Sequence, residues 1–246
     1  MKHIQKNNAA PEVVAYQTKL QNRQLDRVSL SNPAVHPGET GPFIYDRRVK
    51  QIRPEFNNLK ARMFQDQGGI CCYCGQKLAY PNNPQFRVEH VSPKSLDRTL
   101  AGEYCNLLLS CRSHDVGEDV NVETWANANG VNYRERHCDE HKASQVLTYT
   151  PLQTGCERHF IYDQFGGVAG DDAPATTDIA TLNLNCNYLT KRREAAIEGE
   201  LYDEDDNLLP DDELHDRLNT IMQRDANGNF TEFCFVIKGA IEHVLA

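Results

Sequence analysis

The chain has 246 residues, 39% of them hydrophobic and 25% charged, with a formal net charge of −9. This is the make-up of an ordinary globular protein with chain enough for one large domain or two small ones, and no run nears the ~18 apolar residues that span a bilayer. The acidic balance argues against a protein that grips nucleic acid unaided, because phosphate neutralisation by Lys and Arg supplies much of that affinity.

The opening MKHIQKNNAAPE has no apolar stretch of the kind a secretory leader needs, which places the chain in the cytoplasm. There a disulfide framework is disfavoured, and nine cysteines leave one unpaired in any case. Metal binding is the better explanation for cysteines that are well spaced.

Residues 1–42 are polar and turn-rich, with a short helix expected around AYQTKLQNRQL. Over residues 45–65, Val49, Ile52, Phe56, Leu59 and Met63 recur at helical spacing. Pro54 should split or kink that helix, and Gly68-Gly69 should end it. Residues 70–142 are rich in Cys, His and turn formers, with a long loop-like insert between Cys111 and Cys138. Residues 147–168 read as extended, with HFIYDQFGG as a hairpin. Helices are expected over 178–184 and 188–200, broken by NLNCN. DEDDNLLPDD reads as an acidic linker. Two closing helices follow, over 214–224 and 230–245, with DANGN as their turn. The fold class is therefore α+β and mostly helical. Three regions suggest themselves: 1–61, 62–146 and 147–246.

Cys71 and Cys74 stand in C-x-x-C spacing, which aims two sulfurs at one point in a tight turn that Gly75 closes. That is half of a tetrahedral zinc site. No βαβ pattern surrounds it, so zinc is favoured over a redox dithiol. Cys111 and Cys138 are the best second half, with His114, His137 and His141 as alternatives for the fourth ligand. Cys72 points away from the focus, Cys105 is read as core packing, and Cys156, Cys186 and Cys234 as structural thiols.

Between the half-sites lies RVEHVSPKSL, where Val88 and Val91 mark a strand running into a turn. A neutral imidazole at His90 can take a proton from water near pH 7. The neighbouring carboxylate of Glu89 can hold a hard cation such as Mg²⁺. Asn106 then opens the apolar run NLLLSC, where an amide can fix a loop or orient the imidazole. Arg87, Lys94, Arg98, Arg134, Arg136 and Lys142 flank these segments and could line a phosphate track, with Lys94, Arg98 and Lys142 the chosen contacts. The acid is concentrated elsewhere, in GEDV, GDDA and DEDD.

The ordered set C-x-x-C, E-H-x-x-P-K-S, N-L-x-x-x-C and C-x-x-x-K resembles the zinc-containing His-Asn-His (HNH) endonucleases, and within them the PtuB-type nucleases of Septu and retron anti-phage systems. RMFQDQGGICCYCG, CDEHK and TLNLNCNYLTKRREA look like that family in the same order. The likeness runs over residues 1–196 and is most specific over 67–142. It implies a ββα-metal core at 62–146, with helical extensions before and after it. It implies structural Zn²⁺ on Cys71, Cys74, Cys111 and Cys138, and a catalytic Mg²⁺ or Mn²⁺ on Glu89 and Asp139. His90 would be the general base and Asn106 the loop-fixing middle residue. The third motif position departs from the family pattern: Asp139 stands where relatives carry His or Asn, and His141 is the alternative. On a helix those two would point about 200° apart, and Asp139 is preferred. The implied partners are nucleic acid, a PtuA-like ATPase docked on region 1–61 or the C-terminal helices, and a retron reverse transcriptase with its DNA–RNA product. No membrane is implied.

Overall fold

The computed structural model describes residues 1–79, 86–112, 124, 127–128, 130, 132 and 135–246. His114, Arg134, the GEDV acid and most of the long insert lie outside the described residues.

Helix α1 (Pro11–Asn22) starts with proline in its first turn, where the missing N–H costs nothing. Its buried Val13, Tyr16 and Leu20 lie on one stripe. They pack against the buried Phe56, Leu59 and Met63 of α4 (Glu55–Gln67). Between them come α2 (Arg27–Ser31), α3 (Gly41–Arg47) and a 3₁₀ turn at Val49–Gln51. The helical pattern of 45–65 is thus split before Pro54, as its ring requires. Gly68 ends α4 in the left-handed region (φ 63°), and a Cβ there would meet the Phe230 ring at 2.3 Å.

An antiparallel hairpin follows. Strand β1 (Phe86–His90) pairs with β2 (Leu107–Cys111), in a register that sets Phe86 opposite Cys111 and His90 opposite Leu107. All five residues of β2 are buried. Its outer edge is satisfied by the end of α4: the Gln67 amide accepts from Leu109 N–H at 2.6 Å and donates to Leu109 C=O at 2.8 Å and Ile70 C=O at 2.9 Å. A single helical turn, α5 (Asp139–Lys142), then lies against the hairpin. Ala143 stops it there, with φ 50°.

The remaining chain covers the other side. Strands β3 (Phe160–Tyr162) and β4 (Val168–Gly170) form a second antiparallel hairpin. Helices α6 (Ala173–Thr181), α7 (Asn187–Leu201), α8 (Asp211–Thr220) and α9 (Cys234–Val244) follow. The molecule is α+β and mostly helical, with two small two-stranded sheets among the described residues.

Three expectations are corrected. The helix placed at 178–184 lies earlier, because Asp172 caps it by accepting from Ala175 N–H (2.7 Å) and Pro174 suits its first turn. Asp178 is instead buried within that helix, accepting from the backbone N–H groups of Thr148 and Tyr149. The acidic linker is an ordered turn: Asp203 Oδ1 accepts from the N–H of Asp205 and of Asn207, and Tyr202 bridges Leu208. The same side-chain device closes the turns at Asp163 and Asp225. Cys105 is exposed, not core, because the 3₁₀ turn Tyr104–Asn106 turns its two neighbours inward and leaves it outside. No helix among the described residues is long and apolar enough to cross a membrane.

Candidate active site and metal centre

Residues 70–77 form a tight knuckle. Cys71 N–H donates to Gln76 C=O (2.8 Å), Gly75 N–H donates to Cys71 C=O (3.2 Å), and Gly75 takes φ 83°. This brings the sulfurs of Cys71 and Cys74 to the end of β2, where Cys111 stands. Cys138 completes the set from just before α5. The four Sγ atoms lie within 4.8 Å of one another and all four residues are buried. Cys71 Sγ is 3.9 Å from Cys138 Sγ, and Cys74 Sγ is 3.8 Å from Cys111 Sγ. A tetrahedron with ~2.3 Å metal–sulfur bonds has sulfurs about 3.8 Å apart, so the arrangement fits a four-thiolate ion such as Zn²⁺. Backbone N–H groups of Cys111 and Gln76 point at Cys71 Sγ and Cys74 Sγ, as thiolates require. Burial, and next the neighbouring sulfurs of Cys111, Cys71 and Cys74, push the Cys138 thiol far up, which a bound dication would reverse.

His137 lies against this cluster, with Nδ1 3.3 Å from Cys138 Sγ and 3.7 Å from Cys111 Sγ. It is a neighbour of four sulfurs that would by themselves complete a tetrahedral ligand set. Its ring stacks on Tyr188, and burial holds it down to about 4. Arg193, fully buried on α7, was not foreseen. One of its nitrogens donates to Leu184 C=O, while Nε and Nη1 have no partner among the described residues. Burial is the larger influence on it, and the ionisable groups that act to raise it are the Tyr162 phenol and the thiols of Cys74, Cys186 and Cys138 rather than carboxylates. A guanidinium so placed would offset part of the net negative charge of a zinc tetrathiolate.

The second constellation sits at the far end of the same hairpin, opening into a groove of about 910 Å³. Glu89, His90 and Asp139 all line it, with Tyr45, Lys94 and Arg87. His90 Nε2 is 3.0 Å from Ala101 C=O. A carbonyl only accepts, so Nε2 carries the proton and Nδ1 keeps a lone pair. Nδ1 lies 3.4 Å from Lys94 Nζ. The ring meets Tyr45 edge-on, with centroids 4.5 Å apart. Burial, and next the Lys94 charge, push His90 down to about 3. Asn106 fixes the loop after β1: its Oδ1 accepts from Ser92 N–H (2.7 Å), and its Nδ2 donates to Ser92 C=O (2.9 Å) and Leu100 C=O (3.3 Å).

Glu89 is buried. Its Oε1 accepts from Tyr73 O–H at 2.6 Å and lies 2.8 Å from Lys142 Nζ. Burial is the larger influence and the hydrogen-bonded Asp139 the next; together they outweigh the ammonium and push Glu89 up to about 8. Two carboxyl groups in hydrogen-bond contact form a pair in which a divalent cation can take the proton's place. Asp139 reaches the groove from the first turn of α5, 3.2 Å from Arg87 Nε. His141 does not line the groove: its Nδ1 is 2.9 Å from Thr181 C=O, toward the C-terminal region.

Two of the three chosen nucleic-acid contacts are corrected. Lys142 has no exposed side-chain surface, being consumed by Glu89 and by His90 C=O. Arg98 ties the N-terminal region down, donating to the carbonyls of Leu30, Val35, His36 and Glu39, and it does not line the groove. Lys94 does line it. Tyr73 and Tyr45 went unnoticed in the sequence. Tyr73 could have been found, since it sits inside the C-x-x-C turn, whereas Tyr45 is remote in sequence from His90. No family model matches the chain, and no curated protein matches it.

Proposed function

We propose that the protein is a divalent-metal-dependent endonuclease of the His-Asn-His kind, with the β1–β2 hairpin and α5 as a minimal ββα-metal core. The observation that carries this reading is the convergence of Glu89, His90 and Asp139 on one groove beside Lys94. Mg²⁺ or Mn²⁺ held by Glu89 and Asp139 would supply charge neutralisation at the scissile phosphate and the departing oxygen. His90 takes the proton of the attacking water on Nδ1, while Nε2–H stays on Ala101 C=O and stabilises the imidazolium. Burial, and next the Lys94 charge, hold His90 acidic in the free protein. A phosphate bound beside that ammonium offsets it and raises the basicity of Nδ1 when substrate is present. Asn106 keeps the loop that carries Lys94 in register.

Zn²⁺ on the four cysteines is the structural ion of this reading. The same reading assigns the protein to anti-phage defence in the cytoplasm, acting on phage DNA with a PtuA-like ATPase and, in a retron system, a reverse transcriptase with its DNA–RNA product. Co-purification with a genomically adjacent ATPase tests that assignment. One observation favours a second reading, a zinc-stapled binding module without catalysis: Glu89 already has Lys142 at 2.8 Å. Plasmid nicking with Mg²⁺ or Mn²⁺ separates the two. The parent should nick, and His90→Ala should lose about 10²- to 10⁴-fold. Nicking by His90→Ala at the parent's rate removes His90 as the base, and no nicking by either protein favours the binding module.

A further inference from the structure

The groove reverses the charge balance of the chain. The protein carries 26 Lys and Arg against 35 Asp and Glu, but the groove is lined by seven of the former and four of the latter. Two of those four acids are Glu89 and Asp139, the proposed cation ligands. Three of the cations come from an unexpected place, the segment that the sequence suggested for partner docking. Lys50 lies in the 3₁₀ turn Val49–Gln51, Arg53 just after it, and Lys60 on α4. Lys50 is 2.6 Å from Asp46, an acid of the same groove. Arg53 and Lys60 have no acidic partner among the described residues, and Arg53 is exposed. Lys60 instead stands over the Phe56 ring, and after burial the charges of Arg53 and Lys50 are what act on it. Three like charges gathered on one concave wall with a single counter-ion among the described residues, Asp46, cost free energy unless a polyanion occupies it.

We infer that Lys50, Arg53 and Lys60 form a phosphate-backbone subsite for a nucleic-acid strand, on the wall of the groove contributed by the N-terminal region. The inference rests on the proposed nuclease reading for the position of the scissile phosphate, beside Lys94. The trio holds the flanking phosphates, carries no base specificity, and lets an acidic protein retain DNA at physiological salt. Residues up to α4 are thereby part of the substrate site.

The test is fluorescence anisotropy with a labelled 30-bp DNA duplex, in Ca²⁺ so that binding is read without turnover. Parent, Lys50→Gln/Arg53→Gln/Lys60→Gln and a control Lys77→Gln/Lys191→Gln/Lys238→Gln, whose positions lie outside the groove, are compared over a salt series. The groove triple should bind at least 10-fold more weakly, with the salt slope reduced by about 2–3. Arg53→Gln alone, at an exposed position, should lose about 2- to 5-fold, and serves if the triple does not fold. Cleavage of bis-p-nitrophenyl phosphate with Mn²⁺, which needs no flanking phosphates, should stay within 2-fold of the parent. Unchanged DNA affinity in both groove variants overturns the inference. So does an equal loss in the control triple, which would reduce the effect to net charge. Competition by poly-L-glutamate as strong per charge as by DNA overturns the nucleic-acid assignment. A parent that binds DNA through the trio but cleaves neither DNA nor the small diester leaves the subsite standing and removes the nuclease reading instead.

Discussion

The two ends of one hairpin solve opposite problems with buried polar groups. At the Cys111 end, four buried sulfurs converge on one point and could together hold a central cation. At the His90 end, every polar group already has a protein partner: Glu89 has Tyr73 and Lys142, His90 has Ala101 C=O, and Asn106 has Ser92. The first arrangement is a donor set that an ion would complete. The second is a scaffold that stands without one and presents a lone pair and a carboxyl pair to the groove. They meet at Cys138 and Asp139. Cys138 has φ 54°, a strained value for a residue with a side chain, so adjacent residues face the two different sites. Whatever fixes Cys138 therefore also aims Asp139.

The largest effect should come from breaking the sulfur end. The protein as isolated should carry one Zn²⁺ per chain by elemental analysis. Stripping it with a mercurial reagent and a chelator, or substituting Cys138→Ser, should abolish the cooperative melting transition. Zinc tetrathiolate sites contribute on the order of 10–16 kcal/mol of apparent folding free energy. A metal-free chain that melts at the parent's temperature would show that the four cysteines pack as thiols and are not a metal site.

How far these two sites could be read from the sequence follows from the range of the interactions that build them. Cys71 and Cys74 are a local turn, legible from spacing and Gly75. Cys111 and Cys138 were legible only as the cysteines flanking an insert, and the pairing rests on the hairpin register that sets Cys111 beside the knuckle. Glu89 and His90 could be found as a pair at a strand end, but their surroundings could not: Lys142, Tyr45 and Ala101 reach them from other elements. That is why Lys142 and Arg98 were misread as phosphate contacts. A positive charge near a motif looks the same in sequence whether it faces solvent or is consumed by carbonyls. The helices were found where amphipathic spacing is strong, as in α4. The start of α6 was missed because its cap, Asp172, lies outside the apolar pattern.

A smaller effect should separate the two ends. Asn106→Ala removes three hydrogen bonds from a side chain that is 5% exposed. It leaves Ser92 N–H without its acceptor, at a cost of about 2–4 kcal/mol of stability. Zinc content should stay at one per chain while nicking falls, since only the loop that carries Lys94 is released. Loss of zinc together with activity would mean that the hairpin behaves as one cooperative unit, and the contrast between its ends would not hold.

The smallest effect, and the most specific to the His90 end, concerns the proton on Glu89. Its carboxyl in the metal-free fold is raised to about 8, above an ordinary value near 4.5 in the unfolded chain. Between those two values the folded state binds more protons than the unfolded state, so the stability of the zinc-loaded protein without Mg²⁺ should fall as pH rises from about 4.5 to 8, and level off above. A divalent ion replaces the proton, so Mg²⁺ should raise the melting temperature at pH 8 and have little effect at pH 5. Glu89→Gln keeps the neutral shape and donates to Asp139 in the proton's place. It should melt at or above the parent's temperature at pH 8, lose this part of the pH dependence, and lose the response to Mg²⁺ together with nicking. If Glu89→Gln instead melts well below the parent at pH 8, the Lys142 ammonium has kept Glu89 ionised, and the carboxyl pair is a structural salt bridge instead of a cation seat.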